Sequence, residues 1–170
     1  KISIFGDNLK ENQPRMNPNR VTLHIGLHKT GTTYLQEYMF PKLDGVFYSI
    51  GWRAFRNVFR AQAGQKILIS DEGISGNFKG GNWLGEFHKN LQIIQDLCGD
   101  PKIILGFRSH EKFLASVYKQ YLHEGGTDGF EAVFNRDNTG RIKIEEMYFL
   151  PRIEAVKAKF SEVFLYCQED

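Results

Sequence analysis

Residues 21–40 read VTLHIGLHKTGTTYLQEYMF, and the spacing of apolar residues changes partway along them. Val21, Thr22, Leu23 and Ile25 crowd apolar or β-branched side chains together, the mark of a short buried strand. Gly26 and Gly31 then bracket a tight loop. From Thr32, Tyr34, Leu35, Tyr38 and Met39 recur on one helical face until Pro41 stops the run. A strand that passes through a glycine loop into a helix points the first N–H groups of that helix into the loop, where they lack internal partners and carry partial positive charge. Lys29, Thr30, Thr32 and Thr33 add a full charge and hydroxyl donors to the same place, so the loop has the chemistry to hold a phosphate or a sulfate. The plain alternative is a turn between a core strand and a core helix with Lys29 in solvent.

The rest of the chain repeats the alternation. Residues 1–20 contain GDNLKENQPRMNPNR, rich in Asn, Pro and charge, and read as an extended lead-in to a domain covering 21–170. Short strands are expected at 46–50 and 66–70. Between them, 52-WRAFRNVFRAQAG-64 sets Phe55, Val58 and Phe59 on one helical face. A further helix is expected over 83–99 through Leu84, Phe87, Leu91, Ile94 and Leu97. The run 102-KIILGF-107 is nearly all apolar, as strands of a parallel sheet covered on both faces are. Ser109 is placed to cap a helix through Phe113, Leu114, Val117, Tyr118, Tyr121 and Leu122, ending at Gly125 and Gly126. Residues 127–143 are turn-rich and suit a loop over a site. A last helix at about 145–160 leads into a strand at 163–166. Alternating β and α elements with right-handed crossovers give a three-layer α/β/α sandwich around a parallel sheet, whose ligands sit at the carboxyl ends of the strands.

Composition narrows the function. The 170 residues are 41% hydrophobic and 14% aromatic, enough for one domain with a sizeable core. A net charge of +2 does not suggest a nucleic-acid surface. The charge is unevenly spread: residues 1–60 carry nine basic and four acidic side chains, residues 61–170 thirteen and sixteen, so the half with the glycine loop is the basic half. Cys98 and Cys167 are far apart and in no metal-ligand spacing, so no metal site and no disulfide framework is expected. A reducing, cytoplasmic setting follows from that usage. No apolar run has the roughly 20 residues of a membrane span, and no secretory signal is evident.

Gly26 and Gly31 have the spacing of the nucleotide-hydrolase loop G-x-x-x-x-G-K-[ST], but position 32 is Thr where that loop needs lysine, and Lys29 lies inside the loop instead. The run 67-ILISDE-72 imitates a strand ending in a magnesium-holding acid, a weak signal by itself. The pattern present, an apolar strand followed by G-x-x-K-T-G-T-T and a helix, resembles the 5′-phosphosulfate loop of sulfotransferases that use 3′-phosphoadenosine 5′-phosphosulfate. That family also carries an Arg and, eight residues later, a Ser that grip the cofactor's 3′-phosphate. Here 107-FRSHEKFLASVY-118 supplies Arg108 and Ser116 at that spacing, directly after KIILGF. The terminal 163-VFLYCQED-170 looks like the family's strand followed by an acidic turn. Members normally continue further, so the domain is expected to lack the family's usual C-terminal portion.

The resemblance implies in-line transfer of a sulfuryl group from that donor to a hydroxyl or amine acceptor, carbohydrate being a common one, with adenosine 3′,5′-bisphosphate as product. Lys29, Thr30, Gly31, Thr32 and Thr33 would hold the 5′-phosphosulfate, and Arg108 and Ser116 the 3′-phosphate. Negative charge builds on the bridging oxygen as in phosphoryl transfer, and Lys29 is its natural counter-charge, so no metal is required. A hydroxyl acceptor needs a base. Glu72, just past KILIS, is the first choice and His28, in the loop, the second; His28 has an equally good reading as a packing residue. His88, His110 and His123 read as surface or capping residues, and His24 as a satisfied core histidine. Trp52, Trp83, Phe78 and Tyr48 could stack on an adenine or a sugar, although core packing is the default, and 73-GISGNFKGGNW-83 suits an acceptor loop. Two rivals stay open. One is a nucleotide kinase or hydrolase with a deviant loop, using magnesium and Asp71. The other is a nucleotide-binding module without turnover.

Overall fold

The computed structural model describes residues 17–51, 55, 60–77 and 81–169. Five strands, β1 (Val21–Gly26), β2 (Val46–Ile50), β3 (Lys66–Ser70), β4 (Lys102–Phe107) and β5 (Val163–Cys167), form one parallel sheet in the order β2-β3-β1-β4-β5. All pairs are parallel, with Leu23 opposite both Ile69 and Ile103, so every carboxyl end lies on the same edge. The three-layer α/β reading holds. The chain leaves β1 for β2 and β3 on one side, then crosses to β4 on the other, and this reversal opens a crevice at the carboxyl ends of β1 and β4.

The alternating faces of the strands carry different chemistry. Leu23, Ile25, Ile67, Ile69, Ile103 and Leu105 share the main apolar core with α2 (Trp83–Cys98), α3 (His110–His123) and α5 (Leu150–Lys159), named after α1 (Thr32–Tyr34) and the short α4 (Phe130–Val133). The opposite face holds the helix that follows the glycine loop. There α1 continues through a π-helical stretch, Leu35–Met39, into a 3-10 turn, Phe40–Lys42.

Several expectations shift. The face of Tyr34, Tyr38 and Met39 is largely exposed, with Tyr34 at 61%, because this helix turns its Gln36 side to the sheet instead. The run does end around Pro41: the π-helical stretch stops at Met39, and Pro41 sits early in the closing 3-10 turn, where no N–H is needed. The helix expected at 145–160 is a 3-10 turn, Ile144–Met147, and then α5, which restarts with Pro151 in its first turn. Segment 127–143 contains α4 and is anchored on α3, Tyr118 and Tyr121 bonding Asp128, not on the glycine loop. Of the helix expected at 52–64, most positions, Trp52, Val58 and Phe59 included, lie outside the described residues; Phe55 is helical and packs on the core.

Trp83 is buried, stacked on Phe113 at 6.0 Å, with the guanidinium of the fully buried Arg152 3.7 Å above its ring. It is therefore core and offers no face to a ligand. Burial pushes Arg152 down to about 10 against the pull of Glu146, whose carboxylate is 3.7 Å away. No described helix is long and apolar enough to cross a membrane, and among the described residues no group of acids, histidines and cysteines could hold a metal.

Candidate active site

The glycine loop occupies the crevice between β1 and β4. Leu27 N–H donates to Gly106 O at 3.1 Å, which carries the sheet one residue past β1 before the chain turns. The turn is closed by the Thr30 hydroxyl, which donates to Leu27 O at 2.6 Å. Inside it Lys29 takes the left-handed backbone, φ 66°, a conformation uncommon for a side chain that is not Gly, Asn or Asp. Gly31 follows at φ 73°. A Cβ on Gly26 would collide with Thr32, and one on Gly31 would press on the Gln168 side chain. Gly26 is thus required by close approach and Gly31 by its backbone sign.

This folding leaves the N–H groups of residues 29–33 with no hydrogen-bond acceptor among the described residues, at the start of a helix whose first bonds run from the Tyr34 and Leu35 N–H groups to Gly31 O. The Lys29 ammonium likewise has no partner among the described residues. N–H groups at a helix start are suited to an anion, and Lys29 lies in the same loop. The three threonines divide. Thr30 and Thr32 are buried, the Thr30 hydroxyl is committed to Leu27, and Thr33 is exposed.

Arg108 follows β4 on the far side of the crevice. Its Nη1 donates to Lys29 O at 3.4 Å, and its Nε to Glu169 Oε1 at 2.9 Å. Arg108 and Lys29, 79 residues apart, are thereby joined through the backbone of the loop. Ser116 is half-buried two turns into α3, on the side of that helix that begins with Ser109. Ser109 sits at the N-cap as expected, but its hydroxyl makes no cap bond. The capping acceptor is instead Glu169 Oε2, which takes the Ser109 N–H at 3.0 Å and approaches Cys167 Sγ at 3.2 Å. Burial by itself would raise the Glu169 carboxyl, but the Ser109 N–H, Arg108, the Cys167 thiol and Lys112 overcome it and hold it at about 2. Sequence reasoning saw this residue only as part of an acidic turn, because its partners are 60 residues away.

The two proposed bases lie on the other flank. Glu72 opens a 3-10 turn, Glu72–Ser75, directly past β3, and is exposed at the carboxyl edge. His28 Nε2 donates to Gly76 O at 2.8 Å, fastening the glycine loop to the end of the same turn, with Trp83 6.2 Å behind its ring. Asp71 accepts the Gly73 N–H at 2.8 Å and so caps the 3-10 turn. Tyr48 is engaged too, donating to Gln36 O at 3.1 Å, with burial pushing it up to about 12. Phe78 lies outside the described residues.

Beneath the loop, His24 is fully buried and bonded at both nitrogens, Nδ1 to Ser70 Oγ at 2.7 Å and Nε2 to Tyr166 Oη at 2.9 Å. Burial pushes its imidazole down to about 4. It is the satisfied core histidine that its place in the strand suggested.

A five-stranded parallel sheet flanked by helices, with a glycine loop where the chain leaves β1, is a sulfotransferase-like α/β fold. In particular, the chain is similar to a sulfotransferase from Alicyclobacillus acidocaldarius, with a TM-score of 0.60 and 13% identity over 89% of this chain and 73% of that one. At that identity the likeness is one of fold. No protein-family profile and no curated relative matches the chain.

Proposed function

We propose that the protein is a sulfotransferase that moves a sulfuryl group from 3′-phosphoadenosine 5′-phosphosulfate to a hydroxyl or amine acceptor, carbohydrate hydroxyls among them. The observation that carries the reading is the hydrogen bond from Arg108, at the end of β4, to the backbone of Lys29 in the glycine loop, whose N–H groups at 29–33 have no acceptor among the described residues. It supports a ligand with a phosphate at each end. The residues fit such a donor: the loop N–H groups and Lys29 face its 5′ end, and Arg108 with Ser116 its 3′-phosphate. In the transfer, the acceptor oxygen forms a bond to sulfur as the bond from sulfur to the bridging phosphate oxygen breaks. Lys29 and the loop N–H groups offset the charge that grows on that oxygen. Glu72 takes the acceptor proton, with His28 as the second candidate. His28 donates from Nε2 to Gly76, so a basic role would fall to its Nδ1. The kinase reading is weaker, since Asp71 is engaged as a cap and no lysine follows Gly31.

Thermal unfolding with adenosine 3′,5′-bisphosphate, set against ATP with magnesium, tests the reading. Ligand at 100 times its dissociation constant stabilises by about 2.7 kcal/mol, a rise of several degrees. The expected result is a rise with the bisphosphate that is lost in Arg108→Ala. A rise with magnesium-ATP alone overturns the reading in favour of a kinase.

A further inference from the structure

The half-buried side chain of Arg108 is held from two sides by the chain itself. Its Nε donates to Glu169 Oε1 at 2.9 Å and its Nη1 to Lys29 O at 3.4 Å. A guanidinium is planar, so bonds at two of its nitrogens fix the plane and with it the direction of the third. That third nitrogen, Nη2, has no acceptor among the described residues and is the donor left for a ligand.

Glu169 reaches Arg108 because the pairing of β4 with β5 runs on past the end of β5. Gln168 N–H donates to Phe107 O at 2.9 Å, which sets the next residue of each segment side by side, and the Gln168 side chain lies against Gly31 of the glycine loop. The second carboxylate oxygen is engaged elsewhere. Oε2 takes the Ser109 N–H at the start of α3, at 3.0 Å, and the Cys167 thiol at 3.2 Å. Lys112 Nζ stands 3.8 Å from Oε1. A carboxylate beside an anion site can act in two opposite ways: as a rival anion that occupies the arginine, or as a strut that aims it. The arrangement here is that of a strut. The bond to Arg108 uses Nε and leaves Nη2, the other oxygen is tied to α3 and β5, and Lys112 with the α3 start offsets the negative charge.

We infer that Glu169 is a positioning residue of the nucleotide site, holding the Nε side of Arg108 so that Nη2 is kept for the 3′-phosphate. The inference rests on the cofactor reading proposed above. Glu169 itself touches no ligand in this arrangement; it acts through Arg108, sparing a long side chain the loss of freedom that binding otherwise demands. Because Arg108 serves one end of the nucleotide, the effect of Glu169 belongs to the 3′-phosphate alone, a signature that general destabilisation lacks.

The experiment measures dissociation constants of adenosine 3′,5′-bisphosphate and adenosine 5′-monophosphate by calorimetry for the wild type, Arg108→Ala, Glu169→Gln, Glu169→Asp and the double variant of Arg108→Ala with Glu169→Gln. Glutamine removes the charge at constant size, and aspartate keeps the charge but shortens the reach. The expected result is that both Glu169 variants bind the bisphosphate about tenfold more weakly, the scale of one hydrogen bond to a charged group, and bind the 5′-monophosphate as the wild type does. In the Arg108→Ala background, Glu169→Gln should add no further loss. A Glu169→Gln variant that binds the bisphosphate as tightly as the wild type or more tightly makes the carboxylate a rival anion and overturns the inference. Equal losses for both nucleotides overturn it as well, and so does a Glu169→Asp variant that matches the wild type while Glu169→Gln does not, since charge alone would then suffice. A wild type that does not prefer the bisphosphate, or a preference that survives Arg108→Ala, brings down the parent reading and the inference with it. A preference that depends on Arg108 yet is untouched by substitution at 169 brings down the inference alone.

Discussion

Lys29 brings a charge and a strained backbone to the same point, and the two contributions separate experimentally. Lys29→Ala removes the ammonium and keeps a Cβ in the left-handed region; Lys29→Gly removes the ammonium and relieves the backbone. If the ammonium offsets developing charge, both variants lose about 100- to 1,000-fold in the rate of consumption of sulfur-labelled donor, the effect of roughly 3–4 kcal/mol on the barrier. A Lys29→Gly variant that keeps most of the activity would assign the role to the backbone alone. The glycine loop that carries Lys29 and the strand end that carries Arg108 were legible in the sequence because strand and turn signals are local. Glu169 and Gly106 were not. The carboxylate that holds Arg108 and the ring that demands a glycine at 106 both arrive from β5 and the turn after it, and no short-range pattern records such a meeting.

Strands were the easiest elements to read. Each is a short run rich in apolar residues, the central ones buried, and the ranges expected for β2, β3 and β4 match those found. Helices were harder where their environment, not their spacing, decides the outcome. The helix after the loop buries a polar side toward His24 and Ser70, so its aromatic stripe points to solvent, and Pro151 divides what periodicity alone would join. Packing between elements gives a sharp expectation at β4. A Cβ on Gly106 would collide with the Tyr166 ring, so Gly106→Ala is expected to cost about 1–3 kcal/mol through overpacking. Urea unfolding measures it, and pairing the substitution with Tyr166→Ala should recover part of the loss. Gly106→Ala unfolding at the wild-type midpoint would show that the ring does not need that space.

At the scale of the molecule, two groups link folding to pH with the same sign. His24 has its pKa lowered from the usual 6.5 to about 4, so on acidification the unfolded chain takes up its proton first, and stability falls between those values. Glu169, held at about 2, contributes stability that is complete above its ordinary carboxylate pKa and is lost as pH falls toward 2. Urea midpoints are therefore expected to be flat above about pH 6.5, to decline below it as the histidine begins to titrate, and to decline further below about pH 4.5. Glu169→Gln should flatten the lower limb and leave the upper one. A midpoint unchanged from pH 7 to pH 4 would contradict the burial of a neutral His24.

The contact between Arg108 Nη1 and the Lys29 carbonyl has a consequence for selectivity. Two grips set on independent loops can adjust to ligands of different span. Two grips bonded to each other, one of them clamped again by Glu169, form a gauge of fixed opening. In the proposed site such a gauge reads the distance between two phosphates rather than the identity of the base, so a bisphosphate with the right spacing and an altered base should outcompete an adenine nucleotide whose phosphates lie in a row.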